Sequence, residues 1–261
     1  MANINNLVID RVLRGNMTSH TDGSILWSLT QITNPSLNIS SDSVDAVDAI
    51  GTPIMTFNRA KTAEFSAENS LFDLALSAAQ AGTDLKTASS TSKITVPMFE
   101  EIDVVGESVT LKHTPTKQIT NIYLLNGDST LATKFKNGAA ASATDFVHAA
   151  ESNSIKVPTG LPAGSQIFVQ YEYEAESAVE VINTAKDFPK AGKFVMEVLG
   201  ADVCDSTNLI HFYIVFPNAK LLADVDLTFT TEGTHPFSIK ANVDYCDKEK
   251  RLFYIVVPDE E

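Results

Sequence analysis

The chain has 261 residues, enough for one large domain or two small ones, and 44% of them are hydrophobic, which excludes a chain disordered by composition. Against 33 acidic residues stand 19 basic ones, a formal charge of −14. Tight DNA or RNA binding needs basic groups to neutralise phosphates and is therefore not expected, although an acidic surface can still face DNA by repelling it.

The opening, "MANINNLVIDRVLRGNM", has no long apolar core and no cleavage site, so no secretory signal is expected. No stretch approaches the roughly 18 apolar residues of a membrane-spanning helix. Made in a cytoplasm, Cys204 and Cys246 would stay reduced, with structural roles near strand ends. Further on, "SILWSLTQI" places Ile25, Trp27 and Leu29 on one side of a strand, "TNP" punctuates it, and "SLNISSD" resumes an extended run. The acidic "SDSVDAVDAIGTP", bounded by Gly51 and Pro53, reads as a long loop.

A helix is predicted next, over about Ala67 to Ala81. Ser66 suits the N-cap and Glu68 the first turn. Leu71, Leu74, Ala75 and Ala78 fall at i, i+3, i+4 and i+7, and Gly82 suits the stop. In the middle, "SVTLKH", "NIYLL" and "LATKF" read as short strands, the latter two joined through "NGD" at Asn126 to Asp128. "NGAAASATDFVHAAESN" reads as a linker or loop, and Ile167 to Tyr173 as a strong strand. Residues about 100–178 read either as an elaboration of a single domain spanning 1–261 or as an insertion into it.

The last third reads as a multi-stranded antiparallel sheet. "KFVMEVL" and "LIHFYIVF" form a hairpin across the polar turn "GADVCDSTN". Val225, Leu227 and Phe229 alternate. So do Phe237, Ile239, Ala241, Val243 and Tyr245, for which "RLFYIVV" is the expected hairpin partner. The fold class is mainly β.

Chemistry is hard to find. Asp42, Asp45 and Asp48 lack the glycine and distal glutamate of a calcium loop and read as solvated. Asp202, Cys204, Asp205 and His211 lie close in sequence, but the histidine belongs mid-strand and the others in a turn. His20, His113, His148, His211 and His235 sit in no nucleophile or zincin pattern, no GxSxG occurs, and "NGAA" lacks a phosphate-loop lysine. Glu172 and Glu174 flank Tyr173 and share a face, as solvated strand alternation requires. No enzyme, metal or cofactor is expected. An acidic all-β chain without a site reads as a building block whose strand edges are its functional surface.

The order of elements resembles the bacteriophage tail tube proteins. The likeness lies in "WSLTQITNPSLNISSDSVDAVDAIGTPIMTFNRAKTAEFSAENSLFDLALSAAQAGT": a strand, an acidic loop with D-x-x-G near its end, a lysine before "AEFS", then a single helix. "KAGKFVMEVLGADVC", "FPNAKLLADVDLTFTTEG" and "KANVDYCDKEKRLFYIVVPDEE" match the closing strands and tail. The resemblance covers about two-thirds of the chain. It implies a β-sandwich or barrel flanked by one helix, assembled with itself as stacked hexameric rings into a virion tail tube. DNA would pass through an acidic lumen during ejection without specific binding. Sheath, baseplate and terminator proteins are the further partners implied. The segment Ser41 to Lys61 would contact the next ring, with Asp45, Asp48, Arg59 and Lys61 as inter-subunit ion-pair residues. The rival readings are another β-rich virion part, such as a terminator or baseplate subunit, and a carbohydrate-binding adhesion module. The last should show exposed aromatics clustered on one face.

Overall fold

The structure is a computed structural model and describes residues 7–162, 164–203, 205–245 and 247–258. The chain runs through β1 (Leu7–Ser19), β2 (Ile25–Leu29), β3 (Ile32–Val47), β4 (Pro53–Asn69) and α1 (Leu74–Ala81). Then follow β5 (Lys86–Thr87), β6 (Ile94–Asp103), β7 (Ser108–Thr110), β8 (Asn121–Leu125) and β9 (Leu131–Asn137). Next come β10 (Asp145–His148), β11 (Ser154–Lys156), β12 (Gln166–Ala175) and β13 (Val179–Glu180). The last strands are β14 (Ala191–Asp202), β15 (Asp205–Leu221), β16 (His235–Ala241) and β17 (Tyr254–Val256). The molecule is mainly β, as expected, and divides into two compact units.

The first unit comprises the chain up to Leu85 and from Val181 onward. Its antiparallel sheet has the order β2-β1-β14-β15-β16-β4-β3 and is nearly closed, with β17 paired to β15. Side chains of period 2 fill its interior. Trp27, Phe65, Phe194, Phe216 and Phe237 form one ring cluster, with centroids 5.5 Å apart for Trp27–Phe194 and 6.2 Å for Phe65–Phe216. Gly15 makes room for that packing: a Cβ there would lie 2.8 Å from the Ile32 side chain and 3.1 Å from the Phe194 ring.

The helix stops at Gly82 as expected but starts later. Gly82 is left-handed (φ 74°), and a Cβ on it would meet the Phe188 backbone at 2.4 Å. The N-cap is Asp73, whose carboxylate accepts the Leu76 amide at 2.6 Å. Ser66 to Asn69 belong instead to β4, paired with β16 on one side and β3 on the other. The buried period-2 series Ala63, Phe65, Ala67 decides this, because two ladders partner the β4 backbone more fully than a helix start would. Leu71 is left in the turn, exposed, while Leu76 is fully buried.

Three further expectations are corrected. The C-terminal hairpin does not form: β16 lies between β15 and β4, and β17 pairs with β15 at Tyr213 to Val215. Val225, Leu227 and Phe229 lie outside any strand, since both edges of β16 are already occupied. The presumed linker after Asn137 contains β10, whose Phe146 is fully buried. The β14–β15 hairpin stands, with Phe194 opposite Phe216.

The second unit is Lys86–Glu180. Its sheet order is β6-β12-β8-β9-β10-β11-β7, with one parallel pairing, β9 to β10. β5 and β13 pair where the chain enters and leaves, with Lys86 and Glu180 2.9 Å apart. Ile122, Phe146, Ile155, Ile167 and Val169 are its innermost residues. Two buried polar groups are fully tied down. His148 Nδ1 accepts the Ile119 amide at 3.1 Å and its Nε2 donates to the Ser152 carbonyl at 2.8 Å. Glu100 accepts from the Tyr171 hydroxyl and, at 3.1 Å, from the Lys112 amide. Burial pushes the Tyr171 phenol well above its ordinary pKa, and the bond to Glu100 adds to the shift.

Candidate assembly surface

The segment expected to be a loop is a ladder. β3 and β4 remain paired from Ile32 and Asn69 out to Val47 and Pro53. The third strand, β16, accompanies β4 only as far as Ala63. Beyond that point the two strands project alone, and residues 38–62 are exposed on both faces, Asp48 alone being half-buried. From Ser40 to Asp48 the arm spans roughly 25–30 Å at the rise of a β-strand.

A bulge sets which side chains share a face. Ser41 pairs with Lys61 and Ser43 with Asn58, so Asp42 opposes both Arg59 and Ala60. Below the bulge the apolar side is that of Leu37, Ile39, Ala63 and Phe65, which is the core side of the sheet. Beyond it, Ser43, Asp45, Asn58 and Thr56 continue that side. Val44, Ala46, Met55 and Phe57 occupy the other. The apolar stripe therefore changes face along the arm, and Val44, Met55 and Phe57 are about half exposed.

The four expected interface residues all lie on this arm, but not as a cluster. Asp48 builds the tip: its Oδ1 accepts the Ile50 and Thr52 amides at 3.0 and 2.8 Å. The Thr52 amide, followed by that of Ile50, holds its carboxyl below the usual carboxylate range. Asp45 accepts the Thr56 hydroxyl across the ladder at 2.6 Å. Arg59 sits in the bulge, and Lys61 faces the side of Asp45. Among the described residues no ion pair within the chain engages any of the four. The apolar stripe was missed, although V-D-A and M-T-F alternate at period 2 in the sequence.

The sheet also has open edges. β2 and β3 end it, and β2 pairs with β1 only from Gly15 to Thr18. β1 from Leu7 to Arg14 and β15 from Leu209 to Phe212 thus have β14 on one side and no strand on the other among the described residues. Val8, Ile9 and Leu209 are exposed there. Near the start of α1, Phe72 stacks on His235 at 5.0 Å and lies 5.7 Å from the exposed Phe229. His235 is fully buried: its Nδ1 accepts the Asp73 amide at 3.2 Å and its Nε2 donates to Gln80 Oε1 at 2.8 Å. Burial holds its pKa below the ordinary histidine value, against the opposing charge of Asp73.

Among the described residues no three His, Cys, Asp or Glu side chains are grouped to hold a metal. His211 instead meets Glu197 at 3.1 Å, and Glu197 also takes Arg14 at 2.9 Å. Cys204 and Cys246 lie outside the described residues. Glu172 and Glu174 are on the solvent side of β12, near Lys117 and Lys93 at 3.8 and 3.9 Å. No helix among the described residues is long and apolar enough to cross a membrane.

Fold and surface together define an antiparallel β protein with open strand edges and a projecting two-stranded arm. The model of the YomU/Tube protein family matches residues 7–255, and the chain belongs to that family. This agrees with the tail tube resemblance drawn from the sequence. No curated protein matches the chain.

Proposed function

We propose that this protein is the repeating subunit of a phage tail tube, assembled in the host cytoplasm as hexameric rings that stack into the conduit for DNA ejection. The observation that carries the reading is the arm. A two-stranded ribbon of this length is marginal alone in water, and its half-exposed apolar stripe gains stability only when covered. Open edges of β1, β15, β2 and β3 supply unpaired backbone groups that a neighbouring copy can satisfy, and closure into a ring removes every edge. The arm then reaches the next ring. Val44, Met55 and Phe57 supply the buried contact, Arg59 and Lys61 offer cations to a neighbour's carboxylates, and Asp45 and Asp48 hold the shape of the ribbon. A charge of −14 keeps DNA from adhering to the tube wall. Sheath, baseplate and terminator proteins are the remaining partners, and no catalysis is involved.

Negative-stain electron microscopy of the concentrated full chain tests this. Hollow tubes or six-fold rings are expected. A variant with Ser43 to Phe57 replaced by a short Asn-Gly turn should give rings that do not stack. A wild-type chain that forms single rings and never stacks would mark a terminator instead. A chain that stays monomeric even with a tail-initiation complex would overturn the assembly reading.

A further inference from the structure

The unit Lys86–Glu180 carries a surface distinct from the arm and from the open strand edges described above. One face of its sheet covers the apolar core, so the other should be polar by alternation. Thr95, Glu101 and Asp103 on β6, and Gln166, Gln170, Glu172 and Glu174 on β12, obey this and are exposed. Three aromatic residues do not. Phe99 stands opposite Gln170. Phe168 stands opposite Glu101 on one side and Tyr123 on the other, and Tyr123 stands opposite Lys134. The register thus lays Phe99, Phe168 and Tyr123 in a row across three strands, all on the outward side. None of them belongs to the core of the unit. The Phe99 and Phe168 rings are nearly parallel, 15° apart with centroids at 6.1 Å, and Phe99 is 59% exposed.

The row borders a cleft of about 340 Å³ lined by Pro97, Gln118, Asn121, Tyr123, Gln170 and Glu172. That is the lower end of small-ligand sites. The surrounding groups are amides and charges of both signs: Gln170, Glu101, Glu172, Lys134 and Lys136. Among the described residues, the side chains of Gln170, Glu101, Tyr123, Lys134 and Lys136 take no hydrogen bond or ion pair within the chain. A protein-binding hot spot is depleted in charge at its centre, and a nucleic-acid site needs a basic surplus; this face has neither property. Aromatic faces beside the unengaged Gln170 amide and balanced charges, with Gln118 and Asn121 already donating to the His148 carbonyl and the Thr120 hydroxyl, match a ligand with apolar C–H faces and a rim of hydroxyls.

We propose that the outer face of the β6–β12–β8 sheet binds a neutral oligosaccharide. Successive sugar rings lie along Phe99, Phe168 and Tyr123, and the cleft beside Gln170 and Asn121 takes the hydroxyls of one unit. The site does not depend on the tube reading and stands or falls separately from it.

The test is saturation-transfer NMR on the full chain with chitotetraose, cellotetraose and maltotetraose as separate probes. Transfer to at least one is expected. The double variant Phe99→Ser/Phe168→Ser should weaken it at least tenfold, while the arm variant Phe57→Ser leaves it unchanged. Because both rings lie on the outward face and neither belongs to the core, the double variant should still fold, its melt lowered only by the loss of half-buried Phe168 and its pairing with Phe99. Should it fail to fold, Gln170→Ala leaves the rings in place and should weaken binding about threefold or more. Absence of transfer to all three sugars, or undiminished transfer to a folded double variant, would overturn the site.

Discussion

Replacing Val44 and Phe57 together by serine separates folding from assembly. The two residues face each other across the arm, on the side away from Asp45 and Lys61. They are 48% and 51% exposed in the single chain, so the subunit already leaves half of each in water. Folding should therefore shift by no more than about 0.5 kcal/mol, the usual range for surface changes. Docking against a neighbour would remove the remaining exposed area, roughly 170 Å² for the pair given the usual size of such side chains. At about 25 cal/mol per Å² that is about 4 kcal/mol per contact, or about 3 once the serine atoms are allowed for. The concentration needed for assembly should then rise about 100-fold or more. Pelleting of assembled material over a concentration series reads this directly, and a thermal melt by circular dichroism checks the subunit. Wild-type assembly by the variant would refute the docking role of the stripe. A melting temperature lowered by more than ~4 °C would show that the stripe serves the fold of the single chain instead.

Loss of the helix cap in Asp73→Ala should cost about 1 kcal/mol, with Asp73→Asn retaining most of it, as read from urea melts. His235 has a folded pKa below its unfolded value, so the unfolded chain binds the proton more readily. Its contribution is full above the unfolded value of about 6.5 and is lost as pH falls from there through the folded pKa. Melts between pH 7.5 and 5 should show destabilisation on acidification, and His235→Asn should reduce that slope; an unchanged slope would contradict the assignment. Tyr171→Phe removes a donor to buried Glu100 and the acceptor for the His113 amide. It should cost roughly 1–3 kcal/mol in a denaturant melt, and adding Glu100→Leu should recover only the part due to the unpaired carboxylate, because the Lys112 and His113 amides still lack their acceptors.

The strands legible in the sequence were those with one wet and one buried face. Ile25 to Leu29, Lys193 to Leu199, Leu209 to Phe216 and Ile167 to Tyr173 alternate clearly, and the structure makes strands of them, with β14 and β15 running further into the expected turn, to Asp202 and from Asp205. The helix was half legible. Gly82 marks its end because only a left-handed residue without a Cβ fits against Phe188. Its start was obscured because Ala67, Leu71, Leu74 and Ala75 mix a period-2 strand with a period-3.6 helix, and the intervening turn carries Leu71 and Phe72. The arm was misread as a loop because its many serines and aspartates resemble turn composition. Asp48 does build a turn, but Asp42 and Asp45 are ladder residues.

By itself the sequence determined the class: a mainly β chain, strongly acidic and without a catalytic pattern, built from alternating strands whose buried residues are set by local period. Which strand pairs with which was decided only by the tertiary structure. Tyr254 to Val256 join β15 rather than the neighbouring β16, and one bulge in β4 turns Met55 and Phe57 away from the core side to join Val44 on the other face. The row of Phe99, Phe168 and Tyr123 likewise joins residues far apart in the chain. Alternation specifies a face within one strand. Register between strands depends on long-range pairing, where a single extra residue redirects every side chain beyond it.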